Sequence, residues 1–138
     1  MKYYIVIPSY NEEALIGLTL QSLISQTVLP SKIVVVNDNS TDRTAEVVLE
    51  FAKNNPYISL VNKSSENIHL PGSKVIQAFE KGFETLDDNY DLIVKIDADL
   101  IFPTNYFETI IKHFQSDERI GMVGGFCYIE KNGEIGRA

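Results

Sequence analysis

Asp97-Ala98-Asp99 places two carboxylates at alternate positions directly after the apolar run Leu92-Ile93-Val94-Lys95-Ile96. Alternate residues of an extended chain point to the same side, so the pair can face one ligand together. Hard cations such as Mg²⁺ and Mn²⁺ prefer oxygen donors and commonly use one or two carboxylates while substrate phosphates complete the shell. The pair therefore suits the holding of a divalent ion against a diphosphate. A D-x-D tripeptide by itself is weak evidence, because turns and helix caps use the same residues; its position is what gives it weight. Two other apolar runs end in the same manner: Ile5-Val6-Ile7 leads into Pro8-Ser9-Tyr10-Asn11-Glu12, and Ile33-Val34-Val35-Val36 into Asn37-Asp38-Asn39-Ser40.

For three polar tips to meet, the runs that carry them must lie side by side and point the same way. The apolar runs Tyr3 to Ile7, Ile33 to Val36, Ile58 to Val61 and Leu92 to Ile96 are short and rich in Val and Ile, as strands buried on both faces are. Helical stripes separate them: Ile16, Leu20, Leu23 and Ile24; Thr44, Val47, Val48 and Phe51; Val75, Ala78, Phe79, Gly82, Phe83 and Leu86. Phe107, Ile110, Ile111 and Phe114 mark a fourth helix, and Ile120 to Val123 is expected to begin a fifth strand. The alternation predicts an α/β fold, a Rossmann-like, mostly parallel sheet with helices on both faces and right-handed crossovers. Ligands of such sheets bind outside the carboxyl ends of the strands, where all three tips lie.

Turn and cap residues agree with these elements. Ser40 or Thr41 is expected to cap the second helix, with Asp42 in its positive first turn. Pro71-Gly72-Ser73 breaks the chain before the third helix and Pro103 before the fourth. Gly121, Gly124 and Gly125 imply either a strand that passes close to another backbone or to a ligand, or a simple bulge. Asn132-Gly133 marks a tight turn between Glu130 and Glu134.

The acids of the first two tips have two readings each. Asp38 follows its strand as an acid that reads a ribose or base does in doubly wound nucleotide sites, yet its neighbourhood is also good turn-and-cap chemistry. Glu12 either contacts ligand or only decorates the helix start after a turn at Asn11. The chain contains no G-x-G-x-x-G and no G-x-x-x-x-G-K-[ST], so neither glycine-loop mode of phosphate binding is present. His69 and His113 have no metal-like spacing.

Composition narrows the ligand. At 138 residues and 44% hydrophobic, the chain has the length and apolar content of one compact domain. Twelve basic against nineteen acidic residues give a formal charge of -7, which argues against nucleic-acid polymers, whose phosphates are bound through Lys and Arg. A small phosphate ligand then requires a metal ion to supply positive charge. Cys127 is the single cysteine, which excludes an intrachain disulfide. No stretch approaches the roughly 20 apolar residues that cross a bilayer, and Met1-Lys2-Tyr3-Tyr4 runs straight into a strand. The expected location is cytoplasmic, with membrane association left to a longer parent protein.

The three motifs together resemble the family-2 glycosyltransferases, enzymes of the GT-A fold. Val6-Ile7-Pro8-Ser9-Tyr10-Asn11-Glu12-Glu13 is similar to their opening V-I-P-x-Y-N-E, Val35-Val36-Asn37-Asp38-Asn39-Ser40-Thr41-Asp42 to their V-V-D-D-G-S-T-D, and Asp97-Ala98-Asp99 to their D-x-D. The resemblance implies that Pro8 and Tyr10 line the base and ribose pocket, with Glu12 beside them, and that Asp38 contacts the nucleoside. By the same resemblance Asp97 lies near the ribose or diphosphate, Asp99 ligates Mg²⁺ or Mn²⁺, and Lys74, in the helix start Pro71-Gly72-Ser73-Lys74, contacts the donor. Asn37 and Asn39 depart from the usual Asp and Gly, so the turn must accept Asn where Gly is normal.

What the resemblance implies is inverting, metal-assisted transfer from a UDP- or GDP-linked sugar to a glycan or lipid-linked acceptor. Residues 1–138 are expected to form a single nucleotide-sugar-binding domain, truncated relative to the full enzyme. No match for the family's catalytic base is found among Glu108, Asp117, Glu118, Glu130 and Glu134, so the base is expected beyond Ala138. Two other classes fit parts of the pattern. A non-catalytic nucleotide-sugar-binding module needs only the three tips; a receiver-type signalling domain would need adjacent acids after the first strand, where Pro8-Ser9-Tyr10-Asn11 stands instead.

Overall fold

A computed structural model describes residues 1–64 and 72–137. His69, Pro71 and Ala138 lie outside the described residues. In chain order the elements are β1 (Tyr3–Ser9), α1 (Ile16–Ile24), β2 (Lys32–Asp38), α2 (Thr44–Asn54), β3 (Ile58–Lys63), α3 (Ser73–Glu84), β4 (Leu92–Lys95), α4 (Tyr106–Ser116), β5 (Tyr128–Lys131) and β6 (Glu134–Arg137). The first four strands form one parallel sheet in the order β3-β2-β1-β4. Register brings Ser9 opposite Asn37, and Asp38 opposite Lys63, so the carboxyl ends of β1, β2 and β3 are level.

Side-chain alternation divides the core between the two faces of the sheet. Tyr3, Ile5, Ile7, Ile33 and Val35 pack with Ile16, Leu20 and Leu23 of α1, Val48 of α2, and Phe107, Ile110 and Ile111 of α4. Val6, Val34 and Val36 face the other way, against Ala78 and Phe79 of α3. Helix α3 comes down on the sheet at Gly82, where a Cβ would sit 2.6 Å from Val36 and 2.7 Å from Val6. Only glycine permits that approach.

Two buried polar side chains, one on α1 and one just after it, tie this part of the chain to the segment that follows β4. Thr19 Oγ1 donates to the Ala98 carbonyl at 2.9 Å, and Gln26 Nε2 donates to the Pro103 carbonyl at 2.6 Å while its Oε1 accepts from Phe107 N at 3.1 Å. Both residues are almost fully buried, so these bonds satisfy backbone groups that water does not reach. Through Thr19 the Asp97-Ala98-Asp99 segment is held by α1 after it leaves the sheet.

Two expectations are corrected. Ile120 to Val123 is irregular rather than a fifth strand; the remaining strands are β5 and β6, an antiparallel hairpin around Asn132-Gly133 with φ of 55° and 78°. Gly121, Gly124 and Gly125 flank Met122 and Val123 and weaken strand formation there, whereas Asn-Gly supplies the two positive-φ positions a two-residue hairpin turn requires. The close approach suggested by these glycines is at Gly125, but to a side chain: its N–H donates to Tyr106 Oη at 3.0 Å, and a Cβ would meet that oxygen at 2.6 Å. The second helix is not capped by Ser40 or Thr41. Arg43 stands at its N-cap and makes no side-chain cap bond; Asp42, one residue earlier, accepts on Oδ1 from Thr44 N at 3.0 Å and from the Thr44 hydroxyl. Those bonds, with one from Glu13 N, hold the Asp42 carboxyl below its ordinary range against the opposing effect of desolvation.

Candidate functional site

The first two strand tips are stitched to each other. Asn11, at φ 49°, donates its N–H to Ser40 Oγ at 3.0 Å and accepts from Thr41 N at 2.8 Å on Oδ1. Glu12 N donates to Thr44 Oγ1 at 2.9 Å, Glu13 N to Asp42 Oδ2 at 3.1 Å, and Arg43 N to Glu13 Oε2 at 3.2 Å. Ser40 and Thr41 are thus engaged by the first tip rather than by α2. The second tip's departures are accommodated locally. Asn39 takes φ 60°, a region Asn enters more readily than most residues, and Asn37 bridges to Asn62 through Nδ2 at 3.0 Å while its Oδ1 accepts from Ser40 N.

Against these tips lies a cavity of about 730 Å³, within the usual range for small-molecule sites. Pro8, Tyr10, Glu12, Asp38, Lys74, Asp97 and Asp99 all line it. All seven residues that the resemblance assigns to the donor or the metal are therefore brought to one place. Asp38 is buried, whereas Tyr10, at 60% exposure, stands at the mouth. Lys74 enters from the first turn of α3, next to Val75 and Ala78, which the sequence showed only as part of a core stripe.

Electrostatics at the cavity are dominated by acids. Burial raises the Glu12 carboxyl above its ordinary range, and the negative charges of Asp99, Asp42 and Asp97 push it further in the same direction. Lys95 lies 3.6 Å from Asp97, an exposed pair, and Lys63 lies 3.8 Å from Asp38, a largely buried one. Among the described residues no three His, Cys, Asp or Glu side chains converge to hold a metal ion unaided. The arrangement fits an ion that takes one or two carboxylates here and fills its shell from a bound phosphate.

Sequence reasoning missed Ser9 as a lining residue. Its hydroxyl is buried and has no hydrogen-bond partner among the described residues. The signal available was its place between Pro8 and Tyr10, with the parity of Ile5 and Ile7 pointing it to the buried side.

A parallel sheet with a cavity at its strand ends is a doubly wound ligand-binding arrangement, and comparison with known proteins identifies it as the GT-A fold. Residues 4–137 match the model of glycosyl transferase family 2, and the chain belongs to that family. It is 32% identical over 126 residues to the probable glycosyltransferase YdaM of Bacillus subtilis, covering 90% of this chain and 29% of that protein. A poly-beta-1,6-N-acetyl-D-glucosamine synthase of Staphylococcus epidermidis is 30% identical over 129 residues, covering 91% and 28%. The chain thus spans under a third of the length of these curated relatives. Among solved structures, the mannosyltransferase PcManGT of Pyrobaculum calidifontis in complex with GDP-Man and Mn²⁺ aligns with a TM-score of 0.70 at 23% identity, over 87% of this chain and 34% of that one. S. aureus TarS in complex with UDP aligns at 0.64 and 22%, over 84% and 32%. At these identities the structural likeness shows the fold. Family membership sets aside the receiver-type reading. No helix among the described residues is long and apolar enough to cross a membrane.

Proposed function

We propose that this chain is the donor-binding part of a metal-assisted, inverting glycosyltransferase that uses a UDP- or GDP-linked sugar. The observation that carries the reading is the convergence of Glu12, Asp38, Asp97 and Asp99, from three strand tips, on one cavity that Lys74 also lines. Asp38, at the buried wall, accepts hydrogen bonds from the nucleoside, while Pro8 and Tyr10 flank the base and ribose. Asp99 is the direct ligand of Mg²⁺ or Mn²⁺, with Asp97 beside it, and Lys74 meets the donor from the helix start. The Mn²⁺ present with GDP-Man in the mannosyltransferase of this fold supports a divalent ion here.

In the reaction the acceptor hydroxyl attacks the anomeric carbon and loses its proton to a carboxylate base. The bond from that carbon to the diphosphate breaks, and the nucleoside diphosphate leaves with the electron pair. When bound, the divalent ion supplies neutralisation of the charge that develops on the leaving diphosphate. Glu108, Asp117, Glu118, Glu130 and Glu134 do not line the cavity, and Asp117 is engaged with Arg119 at 2.9 Å. We therefore assign the base and the acceptor pocket to a part of the protein outside these residues.

Calorimetric titration of the chain with UDP and with GDP in Mn²⁺, each against inorganic pyrophosphate as control, tests the reading. One nucleotide should bind more tightly than pyrophosphate, because Asp38 and the first tip contact the nucleoside. No binding of either nucleotide contradicts the proposal.

A further inference from the structure

We propose that Lys63 is a positioning residue for nucleoside recognition, acting through Asp38; this rests on the nucleotide reading of the cavity. Lys63 ends β3 opposite Asp38, which ends β2, and its Nζ lies 3.8 Å from Asp38 Oδ1. The two side chains are only 14% and 8% exposed. In every other ion pair among the described residues, both partners are at least 35% exposed. The Lys63–Asp38 pair is therefore placed where screening by water is weakest and where loss of the cation has the greatest effect on its partner.

Lys63 does not line the cavity, whereas Asp38 does. It approaches the carboxylate from the β3 side and leaves Asp38 as part of the cavity wall. Glu12, Asp97, Asp99 and Lys74 line the same cavity as Asp38. Without Lys63 the Asp38 side chain loses the cation that stands beside it on the β3 side. The consequence is specific to the nucleoside end of the ligand: an acceptor held in place by Lys63 meets donors on the ribose or base, and the diphosphate end is served by other groups.

The test is a double-mutant cycle read by calorimetry in Mn²⁺, with UDP, GDP and inorganic pyrophosphate as probes. Lys63→Met should weaken the preferred nucleotide about ten-fold and leave pyrophosphate unchanged. In an Asp38→Asn background the same substitution should change nucleotide affinity by under about two-fold, because its target is already neutral. Lys63→Arg should restore most of the affinity. If Lys63→Met fails to fold, Lys63→Gln replaces it with the same expected pattern. Wild-type affinity in the variants, or an equal loss with and without the Asp38 carboxylate, overturns the inference while leaving the nucleotide reading intact. A wild-type chain that binds neither nucleotide overturns both.

Discussion

The Asn11 side chain accepts the Thr41 N–H at 2.8 Å, and this bond joins the tip of β1 to the tip of β2. With the Asn11 N–H on Ser40 Oγ, it makes Asn11 a two-way link between two walls of the cavity. Aspartate retains the acceptor and tolerates positive φ nearly as well, whereas alanine has neither property. Asn11→Ala should lower stability by about 1 to 2 kcal/mol and weaken nucleotide binding, and Asn11→Asp should cost less of both. Denaturant unfolding and calorimetry on the two variants check this.

Thr19 controls the D-x-D segment from behind. Thr19→Val keeps the shape but leaves the Ala98 carbonyl without the bond at 2.9 Å, at a cost of about 1 to 3 kcal/mol. Binding that depends on Mn²⁺ should weaken more than the binding that persists without it. Equal weakening in both buffers would mean that Thr19 supports the fold generally rather than the placement of Asp97 and Asp99.

Ser9 carries a buried hydroxyl with no partner among the described residues. Removing it relieves a desolvated polar group, so Ser9→Ala should stabilise the ligand-free chain by about 1 kcal/mol. A fall in melting temperature would show that the hydroxyl is satisfied in solution, as by an ordered water.

Glu12 makes stability depend on pH. Its carboxyl is raised in the folded state, first by burial and then by Asp99, Asp42 and Asp97, so the folded chain binds its proton more tightly than the unfolded chain. The associated stability is fully present below the ordinary glutamate pKa of about 4.3 and is lost as pH rises through the raised folded value. Glu12→Gln should therefore be relatively more stable than the wild type at neutral pH than at pH 4. Urea midpoints across that range measure the difference, and parallel curves for the two proteins contradict it.

The sequence made the four parallel strands legible because each is a short, Val- and Ile-rich run, although only the central β1 and β2 are buried throughout and the edge strands β3 and β4 are partly exposed; the tips were legible because polar residues follow those runs at once. Strand ends of a parallel sheet converge, so locating the tips also located the cavity that Pro8, Tyr10, Glu12, Asp38, Lys74, Asp97 and Asp99 line. What was not legible depends on contacts distant in sequence. Nothing in a lone Thr19 announces a bond to a carbonyl 79 residues away, and Lys63 reads as an ordinary strand end until register places it opposite Asp38. Ile120 to Val123 has the apolar content of a strand but is broken by the surrounding glycines, while the Asn132-Gly133 turn that organises β5 and β6 is visible as such.

The central claim is that Asp99 and Asp38 serve opposite ends of one metal-dependent nucleotide site, and calorimetry with the preferred nucleoside diphosphate in Mn²⁺, then in excess EDTA, tests it most directly. Wild-type affinity should collapse on chelation. Asp99→Ala should bind weakly in both buffers, whereas Asp38→Ala should bind weakly in Mn²⁺ yet still lose further affinity in EDTA, with stability within about 1 to 2 kcal/mol of wild type. Equal wild-type affinity with and without Mn²⁺, or identical behaviour of the two variants, would contradict the account.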